Sequence, residues 1–156
     1  MKYEHLVEVN DTTNPLIPVL TREEVWFGLL CRVEDPRPFL PGLLSCEILQ
    51  RRDHGVDRRL NFGQAVVDDQ VVVETLSWIR FESSATAEHA GGSLTITIEE
   101  PQEGALFLRF TYATTLADGG SGGDSRYAEF VKSAYRESDI DTVRVIRMIA
   151  ESSRLQ

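Results

Sequence analysis

Two cysteines, Cys31 and Cys46, are too few for a disulfide framework, and both read as reduced packing residues. No apolar run approaches the roughly 20 residues of a membrane-spanning helix. The stretch from Met1 to Asn10 alternates polar and apolar residues where a signal peptide would carry an unbroken apolar centre. These absences lead to the expectation of a cytoplasmic protein with no membrane insertion. Basic residues are scarce as well: 16 Lys and Arg stand against 25 Asp and Glu, for a net charge of -9. Such an excess of carboxylates repels phosphate backbones and anionic headgroups, and no Lys/Arg cluster interleaved with aromatics reverses it locally. No nucleic acid partner is expected. The three histidines, His5, His54 and His89, are far apart, and neither a His-x-x-x-His nor a Cys-x-x-Cys spacing occurs. Neither a metal nor another cofactor is expected.

What is present is enough for one real core. A chain of 156 residues is a normal length for one domain and buries roughly 70% of its unfolded surface. The whole chain, 1–156, reads as that single domain. Lys2 to Val9 alternates as a half-buried strand, with Tyr3, His5, Val7 and Val9 on one side. Asn and Pro residues between Asn10 and Pro18 end it. Thr21 with Glu24 forms a capping box ahead of Val25, Trp26, Leu29, Leu30 and Val33 at helical spacing, so a helix is predicted up to Pro36. From Ser45 the apolar period falls to two. Punctuation at Asp53-His54-Gly55, Gly63, Asp68-Asp69, Gly91-Gly92 and Glu103-Gly104 predicts six strands, about 45–52, 56–62, 64–75, 77–83, 92–100 and 104–116. In the last two, Leu94, Ile96 and Ile98 oppose Thr95, Thr97 and Glu99, while Leu106, Leu108, Phe110 and Tyr112 oppose Arg109 and Thr111, so one face is covered and one wet. A glycine-rich loop follows, and Tyr127 to about Ser153 is free of Gly and Pro and predicts one long helix.

Projected at 100° per residue, Tyr127, Val131, Ala134, Val145 and Ile149 make one stripe of this helix, interrupted by Ser138, Asp141 and Thr142. That polar break suits a cavity with polar handles, or else ordinary hydrogen-bonded core polarity. Ile140 and Val143 project toward the other side, a second contact surface that suits a homodimer.

The order strand, helix, prolyl turn, six-strand meander, long helix resembles the helix-grip fold of the START-like (SRPBCC) superfamily, an α+β fold in which a curved antiparallel sheet of about seven strands wraps a long C-terminal helix. Three segments resemble its AtaL-like branch: Tyr3-Glu4-His5 through Asn14-Pro15-Leu16-Ile17-Pro18, Gly91 to Glu100, and Phe130 to Arg136 with Asp139 to Val143. The resemblance implies a deep cavity between sheet and helix, used across the superfamily for lipids, sterols, polyketides and hormones, and in some branches for cyclisation or hydration. It carries over no catalytic motif.

Local chemical motifs are few. Gly119-Gly120-Ser121-Gly122-Gly123 matches G-x-S-x-G, but it sits in a glycine linker and every His precedes it, whereas a hydrolase elbow is followed by its His. Glu99 and Glu100 point to opposite faces of a strand, which is wrong for a paired acid and base. His5 lies on the apolar side of its strand and could orient a ligand or move a proton, or be a core histidine with one hydrogen bond. Tyr112 and Tyr135 offer hydroxyls to a ligand carbonyl or pack with wet tips. The candidate ligand-binding set is therefore His5, Trp26, Leu94, Ile96, Leu108, Phe110, Tyr112, Ala134, Tyr135, Ser138, Asp141 and Thr142. The expected partner is a small, largely apolar molecule, bound and carried, or else acted on by a cyclase, aromatase or dehydratase.

Overall fold

Alternation of apolar and polar side chains at period two builds most of the molecule. In the computed structural model, which describes residues 1–86, 91–116 and 125–156, seven strands form one sheet. They are β1 (Lys2–Glu8), β2 (Ser45–Arg52), β3 (Gly55–Asn61), β4 (Val66–Glu74), β5 (Trp78–Ser83), β6 (Gly92–Gln102) and β7 (Ala105–Thr114). The order across the sheet is β1-β7-β6-β5-β4-β3-β2, with every pair antiparallel. The two helices are α1 (Arg22–Glu34), between β1 and β2, and α2 (Ser125–Arg154), after β7. His89 and the Gly119–Gly123 stretch lie outside the described residues.

The expected capping box is present at α1: Thr21 Oγ1 accepts the Glu24 N–H at 3.0 Å and a Glu24 carboxylate oxygen accepts the Thr21 N–H at 2.9 Å. At the other end Arg58 of β3 donates through Nη1 to the carbonyls of Arg32 (3.1 Å) and Val33 (3.0 Å), supplying partners that the last turn of a helix lacks. The same guanidinium holds Asp69 of β4 through Nε at 2.9 Å and Nη2 at 2.6 Å. Arg58 faces Asp69 across the β3–β4 ladder, and Arg59 faces Asp68. The Asp68-Asp69 pair, read as punctuation yet inside the predicted strand 64–75, is the middle of β4, with its carboxylates neutralised by two cross-strand arginines.

The core is formed by the inner faces of the strands and by both helices, with Ile79, Ile96, Leu108, Phe110, Leu29 and Ile146 fully buried. Gly28 of α1 makes the helix contact close: a Cβ there would stand 2.8 Å from two side-chain carbons of Ile146. The phase of α2 differs from the expected stripe. Its buried line runs through Ala128, Asp139, Thr142, Val143, Val145, Ile146 and Ala150, so Val145 of the expected stripe is buried, while Tyr127 is 55% exposed and Ala134 is also exposed. Val143 accordingly faces the core and only Ile140 remains outside. Small and polar residues on the inner line explain the difference, since close packing against α1 and β1 selects for size as much as for hydrophobicity.

Candidate functional site

Two adjoining cavities open on the inner face of the sheet. The larger, about 380 Å³, has an apolar wall of Leu40, Leu60, Phe62, Val67, Phe81 and Leu94, with Arg32, Arg58 and Asp69 as its charged groups. The smaller, about 180 Å³, shares Phe81, Ser83 and Leu94 with it and is bounded by Tyr112, Thr114 and Tyr135. Antiparallel pairing places these groups: Phe81 lies opposite Leu94, and Leu94 opposite Tyr112, so three neighbouring strands present one continuous row.

Arg32 projects from the last turns of α1 and is only 6% exposed. Its guanidinium carbon lies 4.8 Å above the Phe81 ring, with that of Arg58 at 5.2 Å from the same ring. Burial pushes the Arg32 guanidinium down to about 10, opposed by Tyr112, reinforced by Arg58 and opposed again by Asp139 and Asp69. It stays a cation at neutral pH.

Beyond Tyr112 lies a second polar group. Asp139 of α2, 2% exposed, accepts a hydrogen bond from the Tyr112 hydroxyl, and its other oxygen lies 3.2 Å from Nδ1 of His5. Burial raises the Asp139 carboxyl above the usual carboxylate range, and hydrogen bonds from Tyr112 and His5, with the charges of His5 and Arg32, partly offset it. Burial and the adjacent Asp139 also push the Tyr112 phenol upward. Tyr112 stacks on Tyr135 with ring centres 3.9 Å apart and planes 7° from parallel. Tyr3 stands 6.3 Å from both rings, its hydroxyl accepting from Arg136 Nη1 at 3.0 Å. The arrangement can store a proton between a carboxyl, an imidazole and a phenol at the edge of an apolar space.

Of the residues singled out from the sequence, Leu94, Tyr112 and Tyr135 line the cavities, and His5 joins them through Asp139. Trp26, Ile96, Leu108 and Phe110 pack in the core. Thr142 is buried with its hydroxyl donated to the Ser138 carbonyl at 3.0 Å, while Asp141 is exposed and paired with Arg144 at 3.0 Å. Arg32, Arg58, Asp69, Phe81 and Asp139 were not anticipated. A signal existed for Arg32, which stands at the i+7 position of the seam Val25, Gly28, Leu29, where an apolar residue is the rule. Among the described residues, no three His, Cys, Asp or Glu side chains cluster as metal ligands, and no helix is long and apolar enough to cross a membrane.

A family model described as AtaL, acetylaranotin biosynthesis cluster protein L, matches residues 7–153. No curated protein matches the sequence. Among solved structures, the chain is similar to the Zhui aromatase/cyclase from Streptomyces sp. R1128, with 17% identity, a TM-score of 0.66, and coverage of 100% of this chain and 96% of that one. It is similar to the two-domain aromatase/cyclase StfQ of the steffimycin pathway at 10% identity and a TM-score of 0.73, covering 99% of this chain and 52% of that one. A START superfamily protein from Mycobacterium smegmatis shares 15% identity with a TM-score of 0.60, and 97% of each chain is covered. At these identities the likeness is one of fold: a START-like helix-grip domain.

Proposed function

The chain belongs to the AtaL family, and from that premise we propose that it binds or carries a small, largely apolar molecule of the lipid, polyketide or aromatic kind in the two adjoining cavities. Among the described residues, only the smaller cavity touches the C-terminal helix, at Tyr135, while the larger is lined by Arg32 of α1. The observation that carries this reading is the cavity of about 380 Å³, walled by aliphatic and aromatic side chains and furnished with few polar groups. That is the composition and size of a small-molecule site. The similar aromatase/cyclase structures support a polyketide-like occupant. Native mass spectrometry of freshly purified protein tests it, together with Leu94→Trp, which places an indole in both cavities. A retained ligand lost in Leu94→Trp is the expected outcome; tryptophan tolerated with undiminished binding would move the site elsewhere.

The alternative, a cyclase, aromatase or dehydratase, is favoured by Asp139 with Tyr112 and His5 at the edge of the smaller cavity. An enzyme of this kind would release its ligand altered, by loss of water for instance, and Asp139→Asn would stop the conversion while leaving binding in place. A carrier would return the ligand unchanged in both proteins.

A further inference from the structure

Arg32 is a buried cation whose neighbouring carboxylates are all committed to other partners. Among the described residues its Nε has no hydrogen-bond partner, although the side chain is 6% exposed and borders the larger cavity. Asp69 and Asp139 act on it electrostatically. Asp69, however, gives both oxygens to Arg58, and Asp139 gives its oxygens to Tyr112 and His5. Arg58 offers the contrast within the same cavity: Nε, Nη1 and Nη2 all have partners. The Arg32 guanidinium lies instead against the face of Phe81.

A buried charge without a contacting counter-ion is costly, and a guanidinium cannot escape by giving up its proton. A methionine or leucine at position 32 would fill the space without that cost. The fork of a guanidinium is suited to paired oxygens of delocalised negative charge. The cavity's apolar lining includes Phe81, Leu60 and Leu94, and its other charged groups, Arg58 and Asp69, neutralise each other.

We propose that the occupant of this cavity is an oxyanion, an apolar ring-bearing molecule whose carboxylate, enolate or phenolate oxygen docks on Arg32 while its body lies along Phe81 and Leu94. The inference rests on the cavity-binding reading above and adds the sign and place of the ligand's charge. The floor of the cavity then selects for acidic aromatics and enolised ketones over neutral lipids of the same size.

Two fluorescent probes that differ by one charged group test this: 8-anilinonaphthalene-1-sulfonate and its neutral counterpart N-phenyl-1-naphthylamine. The native protein should bind both, and Leu94→Trp should weaken both, locating them in the cavity. Arg32→Met should weaken the sulfonate probe by about tenfold or more, the worth of a charge-assisted hydrogen bond, and leave the neutral probe equal or tighter. Arg32→Lys, with the charge but not the fork, should fall between. Failure of the native protein to bind either probe would overturn the cavity reading. An unchanged ratio of the two affinities in Arg32→Met would overturn the oxyanion inference alone. The thermal midpoint of Arg32→Met should hold or rise; a fall would mark Arg32 as a structural cation and count against the proposal. A comparison needing no variant is the thermal shift given by 1-naphthoate and 1-naphthylmethanol, where an equal shift from the alcohol would also overturn it.

Discussion

At the scale of single residues, Asp139 concentrates the conflicting forces. Burial disfavours its charge, while Tyr112 and His5 favour it, and burial prevails. A carboxyl whose folded pKa lies above its unfolded value contributes stability that is fully present below about pH 3.9 and lost as pH rises through the folded value. Asparagine at 139 is a fixed mimic of the protonated acid: its oxygen can accept from Tyr112 and its amide can donate to His5 Nδ1. The stability of the native protein minus that of Asp139→Asn should therefore fall as pH rises from about 4, then level off once Asp139 is ionised. Urea midpoints of both proteins at stepped pH read the difference directly, with His5, Tyr112 and Arg32 the other groups acting on this carboxyl. A difference that grows with pH would mean that the two donors outweigh burial. The Arg58–Asp69 pair is the structural counterpart. Both partners are buried and satisfied, so Asp69→Ala should cost about 3–5 kcal/mol by stranding a charge, measurable as a collapse of the unfolding midpoint.

Among the elements, α1 and α2 meet where glycine permits it. Gly28→Ala would gain about 1 kcal/mol of helix propensity, but the added carbon would stand 2.8 Å from Cγ1 and Cγ2 of Ile146 and 3.0 Å from its Cβ. Overpacking of this kind costs about 1–3 kcal/mol, so the net effect is destabilising, and calorimetry should show a smaller loss from Gly28→Ala in an Ile146→Ala background, where the two closest carbons are gone. Thr142→Val should leave probe affinity untouched and shift stability by about 1 kcal/mol or less, because its hydroxyl serves the helix's own Ser138 carbonyl. Strands were legible from the sequence because one covered face writes a period of two: Leu94-Ile96-Ile98 and Leu106-Leu108-Phe110-Tyr112 point inward as their alternation requires. The phase of α2 was not. Ala128, Asp139 and Ala150 recur every eleven residues on its inner line, close to the true helical period, yet none is strongly hydrophobic. Of the residues that carry the apolar signal, Val145 is buried but Val131 and Ile149 are only half buried. Charges inside the cavity escaped for a related reason. A lone Arg in a helix or an Asp pair in a strand reads as solvent-facing until pairing partners distant in the chain, such as Asp69 for Arg58 or His5 for Asp139, are brought together by the fold.

For the molecule as a whole, an acidic surface and a buried cation act on a ligand in opposite directions and at different ranges. The net charge of -9 repels an anion during approach, whereas Arg32 attracts it only after it has left water. At about 20 Å from the centre, a little beyond the surface of a chain this long, the repulsion of a monoanion is about 1 kcal/mol at 0.01 M salt, with a screening length of about 30 Å. It is nearly gone at 0.15 M, where that length is about 8 Å. Stopped-flow association of 8-anilinonaphthalene-1-sulfonate should then accelerate a few-fold between these salt concentrations. N-Phenyl-1-naphthylamine should associate at a rate that salt hardly changes. Dissociation of the anionic probe should respond much less, since a pair formed in a low-dielectric cavity is poorly screened. The product is an affinity for acidic ligands that increases with ionic strength, contrary to an ordinary surface ion pair. Slower association of the sulfonate probe as salt is added would show instead that the mouth of the cleft carries a local positive field strong enough to override the acidic surface.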